Sequence, residues 1–138
     1  VREYALNHLE DNNRSVVSIF IKNYLPQDEA LLEKVVKQIP IDFTGETGWH
    51  SVHLDVLNMV DDKAKAPGSL LQHIYQTTFC SCCRENALRQ MVKRRIASTD
   101  ILRECLLDSN ADIRIYAEKL LKSREKRLSE KQKRLTLC

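Results

Sequence analysis

At 138 residues and 16.0 kDa the chain has the size of one structural unit, and with 43% hydrophobic and 30% charged residues it can bury a core, which excludes wholesale disorder. Three Gly and three Pro cannot supply the tight turns of a sandwich or barrel, so the composition predicts an all-α fold. The net charge of +3 hides an asymmetry: residues 1–80 hold 7 Lys/Arg against 11 Asp/Glu (−4), and residues 81–138 hold 15 against 8 (+7), so an acidic partner would meet the C-terminal half.

The chain opens directly in an amphipathic pattern at Val1, Arg2, Glu3, Tyr4, Ala5 and Leu6. It has neither an initiator Met nor a charged-then-apolar export segment, so a cytoplasmic location and a piece of a longer array are the expectations. A second helix is expected over residues 13–24, with Val16, Val17, Phe20, Ile21 and Tyr24 on its apolar face. A third follows over 27–38, opened by Pro26 and the acidic residues Asp28 and Glu29 and carrying Leu31, Leu32, Val35 and Val36. Pro40, Gly45 and Gly48 punctuate residues 39–48. Within them Ile39 to Phe43 alternates like a strand, but Pro40 and the isolation of the segment make it a loop.

Helical periodicity resumes over Val52–Val60, breaks over Asp61–Pro67, and returns as a short apolar helix over Ser69–Gln76 and a longer one from Cys83. Ser98, Thr99 and Asp100 offer an N-cap for Ile101–Leu107, and Asp108, Ser109 and Asn110 form a turn. Asn110 or Asp112 then caps a long final helix. From about residue 122 that helix becomes a basic extension, with seven Lys/Arg and two Glu between Lys122 and Arg134, a pattern expected of a solvated surface. No apolar run approaches the roughly 18 residues of a membrane span. The total is about eight helices in antiparallel hairpins, read as a single domain over 1–138.

A nine-residue pattern recurs at Val1–Leu9, Cys83–Met91 and Ile113–Leu121, with a looser copy at Val52–Val60. Each copy begins with an apolar or thiol side chain and ends with an apolar one. In the three closer copies a small alanine, Ala5, Ala87 or Ala117, takes the fifth position, where a neighbouring helix can approach closely. The segment Asn110–Ala117, with an acidic residue before an apolar-Arg pair and an alanine three positions on, resembles the second helix of HEAT-like repeats. Val1–Ala5 and Cys83–Ala87 share that resemblance, and the intervals of 31 and 30 residues are similar to the short bacterial form of the repeat. The copy at Val52 has His53 in place of the arginine and Val56 in place of the alanine.

The resemblance implies an α-α superhelix, or solenoid, of about four armadillo-like helical hairpins whose second helices line a concave face. It implies a non-enzymatic scaffold that holds a protein or peptide. On it Val1 opens a second helix. Positions two, three, six and seven then nominate Arg2, Glu3, Leu6, His53, Leu54, Asn58, Arg84, Glu85, Leu88, Arg89 and Arg114 for partner binding, continued by Lys93, Arg94 and Arg95. The recurring arginines Arg2, Arg84 and Arg114 are expected to bind acidic residues and carbonyls at the repeat turns, with Asp108 and Asp112 beside Arg114. The alternative is a nucleic-acid-binding domain that uses the basic C-terminal half.

The residue chemistry points to no catalytic residue, metal or cofactor. An odd set of five cysteines reads as reduced thiols. His73 with Cys80, Ser81, Cys82 and Cys83 is the most metal-like feature, and alignment at offset 30 sets Cys105 where Tyr75 sits in the previous hairpin. A second ligand doublet is missing, however, and Cys83 occupies a buried repeat position, so buried or turn thiols are expected. His50 and His53, three apart on one helix, lack a third ligand. None of the four histidines is followed by Glu, which excludes the ligand pattern of the HEAT-like iron hydroxylase. A redox dithiol would need a βαβ setting. No phosphate loop or nucleophile elbow is present. Trp49 with Asp55 is a thin basis for a HEAT-like DNA glycosylase, and Trp49 is expected in the core.

Overall fold

Eight α-helices form among the described residues of the computed structural model, which are all residues except 12, 42, 45–47, 60–65 and 138. They are α1 (Arg2–His8), α2 (Arg14–Lys22), α3 (Glu29–Lys37), α4 (His50–Leu57), α5 (Gly68–Thr77), α6 (Ser81–Lys93), α7 (Thr99–Cys105) and α8 (Ala111–Thr136), with 3-10 turns at Leu9–Asp11 and Pro26–Asp28. No strand occurs among the described residues, so the fold is all-α. Ile39–Phe43 is not helical at its described positions. Gly45, the break at Asp61–Lys65, the ninth repeat position Val60 and the fifth cysteine Cys138 lie outside the described residues. No helix among the described residues is long and apolar enough to cross a membrane.

The starts of the helices follow from side chains that satisfy the first unpaired backbone amides. Asn13 accepts from the N–H of Ser15 at 2.9 Å, Ser98 from Ile101 at 3.2 Å and Asn110 from Asp112 at 2.9 Å. Asn110 rather than Asp112 is therefore the cap of α8. Pro26 opens the turn before α3, where its missing N–H costs nothing.

Contacts within the chain gather it into two compact units, Val1–Lys93 and Arg94–Cys138, where the sequence is read as one domain. In the first unit α1 packs on α2, α2 on α4 and α4 on α6, while α3 packs on α5 and α5 on α6. Helices α2, α4 and α6 thus form one row and α3 and α5 another. In the second unit α7 packs on α8.

Two helices, α2 and α3, lie between the copies at Val1 and Val52, as the sequence periodicity places them, and α2 packs on both α1 and α4. Val1 itself, 83% exposed, does not fill the first core position of its copy. The remaining first and fifth positions behave as the pattern requires: Ala5, Val52, Val56, Cys83, Ala87, Ile113 and Ala117 are all buried.

Arg2 joins α1 to the turn before α3, donating from Nε to Asp28 Oδ2 at 3.2 Å and from Nη2 to Oδ1 at 2.6 Å. Asp28 also accepts the Leu25 N–H at 3.1 Å. The hydrogen bond from Arg2 leads the causes that hold the buried Asp28 carboxyl below its ordinary 3.8.

Two predictions follow from this packing. Ala87→Leu should overfill a close helix crossing and cost about 1–3 kcal/mol in urea unfolding. Arg2→Ala should cost about 1–3 kcal/mol at neutral pH, because it leaves a buried carboxylate without its guanidinium. Asp28 has a folded pKa below its unfolded value, so the stability it contributes is complete above that unfolded value and disappears as the pH falls through the folded one. The gap between parent and Arg2→Ala should therefore close as the pH drops below 3.8. A gap independent of pH would show that the arginine acts through packing alone.

Candidate functional site

The site begins where the chain turns into α4. Gly48 has φ +71°, the left-handed region that favours glycine, so a side chain here would strain the turn. The Gly48 carbonyl accepts from the Ser51 amide at 3.2 Å and the Ser51 hydroxyl at 2.8 Å, which fixes the first turn of α4 and with it Trp49, His50 and His53. At the far side α5 ends and Thr78 runs extended, its hydroxyl accepting the Cys80 N–H at 3.3 Å. Cys80 then closes the start of α6: its Sγ accepts the Cys83 N–H at 3.4 Å and its carbonyl the Arg84 N–H at 2.9 Å. Gln90 ties α6 back to α4 by donating to the Leu57 carbonyl at 2.6 Å.

These two starts bring three soft ligand atoms together. His50 Nε2 lies 3.0 Å from Cys83 Sγ, and with Cys80 Sγ the three atoms all fall within 4.8 Å of one another. Burial, and then the neighbouring Cys80 and Cys82, push the Cys83 thiol up to about 12. Burial also pushes Cys80 upward, but the amides and thiols of Cys83 and Cys82 hydrogen-bond to its sulfur and outweigh it, so its pKa falls below the ordinary value.

A cleft of about 240 Å³ opens beside this cluster, lined among others by Phe43, Trp49, His50, His53, Phe79 and Cys80. Phe43 and Phe79 meet with ring centroids 4.3 Å apart while remaining 70% and 57% exposed. Burial, reinforced by the nearby His73 and His50, lowers His53 to about 4, so at pH 7 it is neutral. No Lys or Arg is among the described residues lining the cleft. Trp49, expected in the core, is half-buried on the cleft wall.

The residues nominated for partner binding divide. The three arginines are each engaged by groups within the chain. Arg2 is bound to Asp28; Arg84 donates to the Thr78 carbonyl at 3.3 Å; Arg114 donates to the carbonyls of Asp108 and Ser109 at 2.7 and 2.9 Å. Backbone carbonyls, not the Asp108 or Asp112 carboxylates, thus receive Arg114. Glu85 and Arg89 pair along α6 at 2.7 Å. Glu3, Asn58, Lys93 and Arg95 are exposed, Leu6 and Arg94 half-buried, and Leu54 is 40% exposed. His53 lies in the cleft. Leu88 is a correction: it is fully buried, because α6 packs against both α4 and α5 and needs a stripe wider than positions one, five and nine.

The histidine beside the cysteines is His50, not His73, which is half-buried in α5 outside the cluster. Cys105 is buried in α7 of the second unit. The signal for His50 was present in the repeat register. Superposing the copies at Val52 and Cys83 sets His50 on Ser81, between Cys80 and Cys82, and equal positions of packed helices in one row are neighbours.

Leu88→Ala should cost about 2–5 kcal/mol in chemical denaturation, as for a filled core position, whereas Leu54→Ala should stay within about 0.5 kcal/mol. Equal costs would place the two leucines in similar surroundings. No family model, curated protein or solved structure matches the chain, so the chemistry of these residues is the basis for function.

Proposed function

We propose that the protein is a HEAT-like helical-repeat module, a solenoid of helical hairpins that acts without catalysis as a scaffold and takes a peptide or protein segment in the cleft between α4 and the α5–α6 turn. The observation that carries this reading is the pair Phe43 and Phe79, large aromatic side chains in mutual contact yet largely exposed at the cleft. Exposed aromatic clusters beside a concave wall are the usual anchors of binding energy in protein recognition. The repeat assignment is supported by a shared device. Arg84 and Arg114, each at position two of its copy, both reach back six residues to a turn carbonyl.

A nucleic-acid-binding reading keeps one observation in its favour. Beyond Ala117 no residue of α8 is buried, and that exposed arm carries the densest run of Lys and Arg in the chain.

Selection of a random peptide library on the full chain, counter-selected on a Phe43→Ser/Phe79→Ser double variant, tests the cleft. Enriched peptides should share an apolar anchor, lose at least about tenfold in affinity to the double variant, and bind with little dependence on salt. Peptides that bind parent and variant alike would reject the cleft as the surface. Tight duplex binding that falls steeply between about 50 and 200 mM salt would promote the nucleic-acid reading.

A further inference from the structure

The cluster of His50, Cys80 and Cys83 borders the recognition cleft, which His50 and Cys80 help to line, and its composition is specific. Two thiols and an imidazole form a soft donor set that suits zinc and its close chemical relatives. Calcium and magnesium call for oxygen ligands, and no carboxylate belongs to the cluster. We propose that His50, Cys80 and Cys83 bind one zinc-class divalent ion, with the fourth coordination position directed into the cleft that His50 and Cys80 line.

The geometry carries this assignment. In a tetrahedral site, metal–sulfur bonds of about 2.3 Å and metal–nitrogen bonds of about 2.0–2.1 Å set the ligand atoms roughly 3.5–3.8 Å apart. The three atoms here span distances from 3.0 Å up to at most 4.8 Å. Side-chain adjustments on the order of 1 Å reach the metal geometry without moving the helices.

The donors also arrive from two separate elements. His50 stands on the first turn of α4, fixed by the Gly48 turn. The two cysteines bracket the first turn of α6, and Gln90 locks the two helices together. A bound ion would join these elements covalently, and the two thiols would release their protons to solvent on ligation. Cys82 sits between the two ligands in sequence, but it is exposed and is not part of the three-atom cluster. Three protein ligands plus one outward position is the open arrangement, in which water or an external donor completes the shell.

The test uses the full chain, reduced and stripped by a chelator, titrated with Co²⁺ as an optical probe and then with Zn²⁺. The expected result is one Co²⁺ per chain, with a thiolate-to-cobalt charge-transfer band and the visible bands of tetrahedral cobalt. One equivalent of Zn²⁺ should bleach both and raise the thermal midpoint. His50→Gln and Cys80→Ser alter half-buried side chains and should keep the parent far-UV spectrum. Each should weaken Co²⁺ binding by more than the roughly 10–100-fold that loss of a mere supporting neighbour costs. Cys82→Ser and His73→Gln should leave band and affinity unchanged.

Absence of the charge-transfer band in the reduced, folded chain would overturn the proposal, as would a band that survives His50→Gln or Cys80→Ser. Loss of the band in Cys82→Ser or His73→Gln would replace the ligand set. Ready formation of a Cys80–Cys83 disulfide in a protein that takes up no cobalt would assign the pair to dithiol chemistry instead. None of these readouts involves peptide binding, and the Phe43→Ser/Phe79→Ser variant leaves all three donors in place, so failure of the metal site and failure of the recognition cleft are distinguishable.

Discussion

Helix α6 carries the constraint on which the first unit depends, because it must satisfy two neighbours at once. Cys83, Ala87 and Met91 form the i, i+4, i+8 stripe expected of a helix facing one partner, and Leu88 widens that stripe so that α4 and α5 can both be met. The small Ala87 permits close approach, and Gln90 sets the register along α4 through the Leu57 carbonyl. With that register set, the first turns of α4 and α6 lie side by side, and whatever chemistry they hold is brought together by helix packing rather than by a loop. By contrast α8 has one helix, α7, packed on it in its unit, and there Glu118 takes the position of Leu88 and stays exposed.

The recurrent arginine is the second organising element, and it works by closing turns. Arg84 and Arg114 each reach six residues back to a backbone carbonyl at a turn, a use suited to guanidinium because its planar fork keeps several donors in one fixed geometry. Arg2 meets a carboxylate instead, since the Pro26–Asp28 turn supplies Asp28 where the other hairpins supply carbonyls. A cation engaged in this way is poorly placed to recruit phosphates or acidic side chains. Arg2 is neutralised by Asp28, while Arg84 and Arg114 keep their charge but have donors committed to carbonyls.

The all-α class, the helix caps at Ser98 and Asn110 and the buried alanines were legible in the sequence because each is local. A cap is decided within three residues and a core stripe within nine. The packing of α2 on both α1 and α4 was not legible, since periodicity along one helix does not name the helices it meets. Leu88 was misjudged for a related reason: periodicity reports that a helix has a buried face, while the width of that face depends on how many neighbours it meets. The pairing of His50 with Cys80 and Cys83 spans more than thirty residues and emerges only when two repeats are laid in register. Phe43 and Phe79 meet across a loop and a helix end, where neither helical nor strand periodicity applies.

The electrostatics of the cleft bear on which of the two binding readings it serves. Its wall combines Phe43, Phe79 and Trp49 with His53, which stays uncharged at pH 7 because burial holds it near 4. A phosphate entering such a cleft would lose its hydration and meet no lysine or arginine among the described lining residues. An apolar side chain entering it would lose little and would cover two exposed aromatic rings, a gain of about 25 cal/mol for each Å² of apolar surface removed from water. The cations that a nucleic acid requires are concentrated on α8, in the second unit. The character of the cleft thus supports the proposed protein segment over a phosphate backbone, and the proposed alternative for nucleic acid rests on the cations of α8.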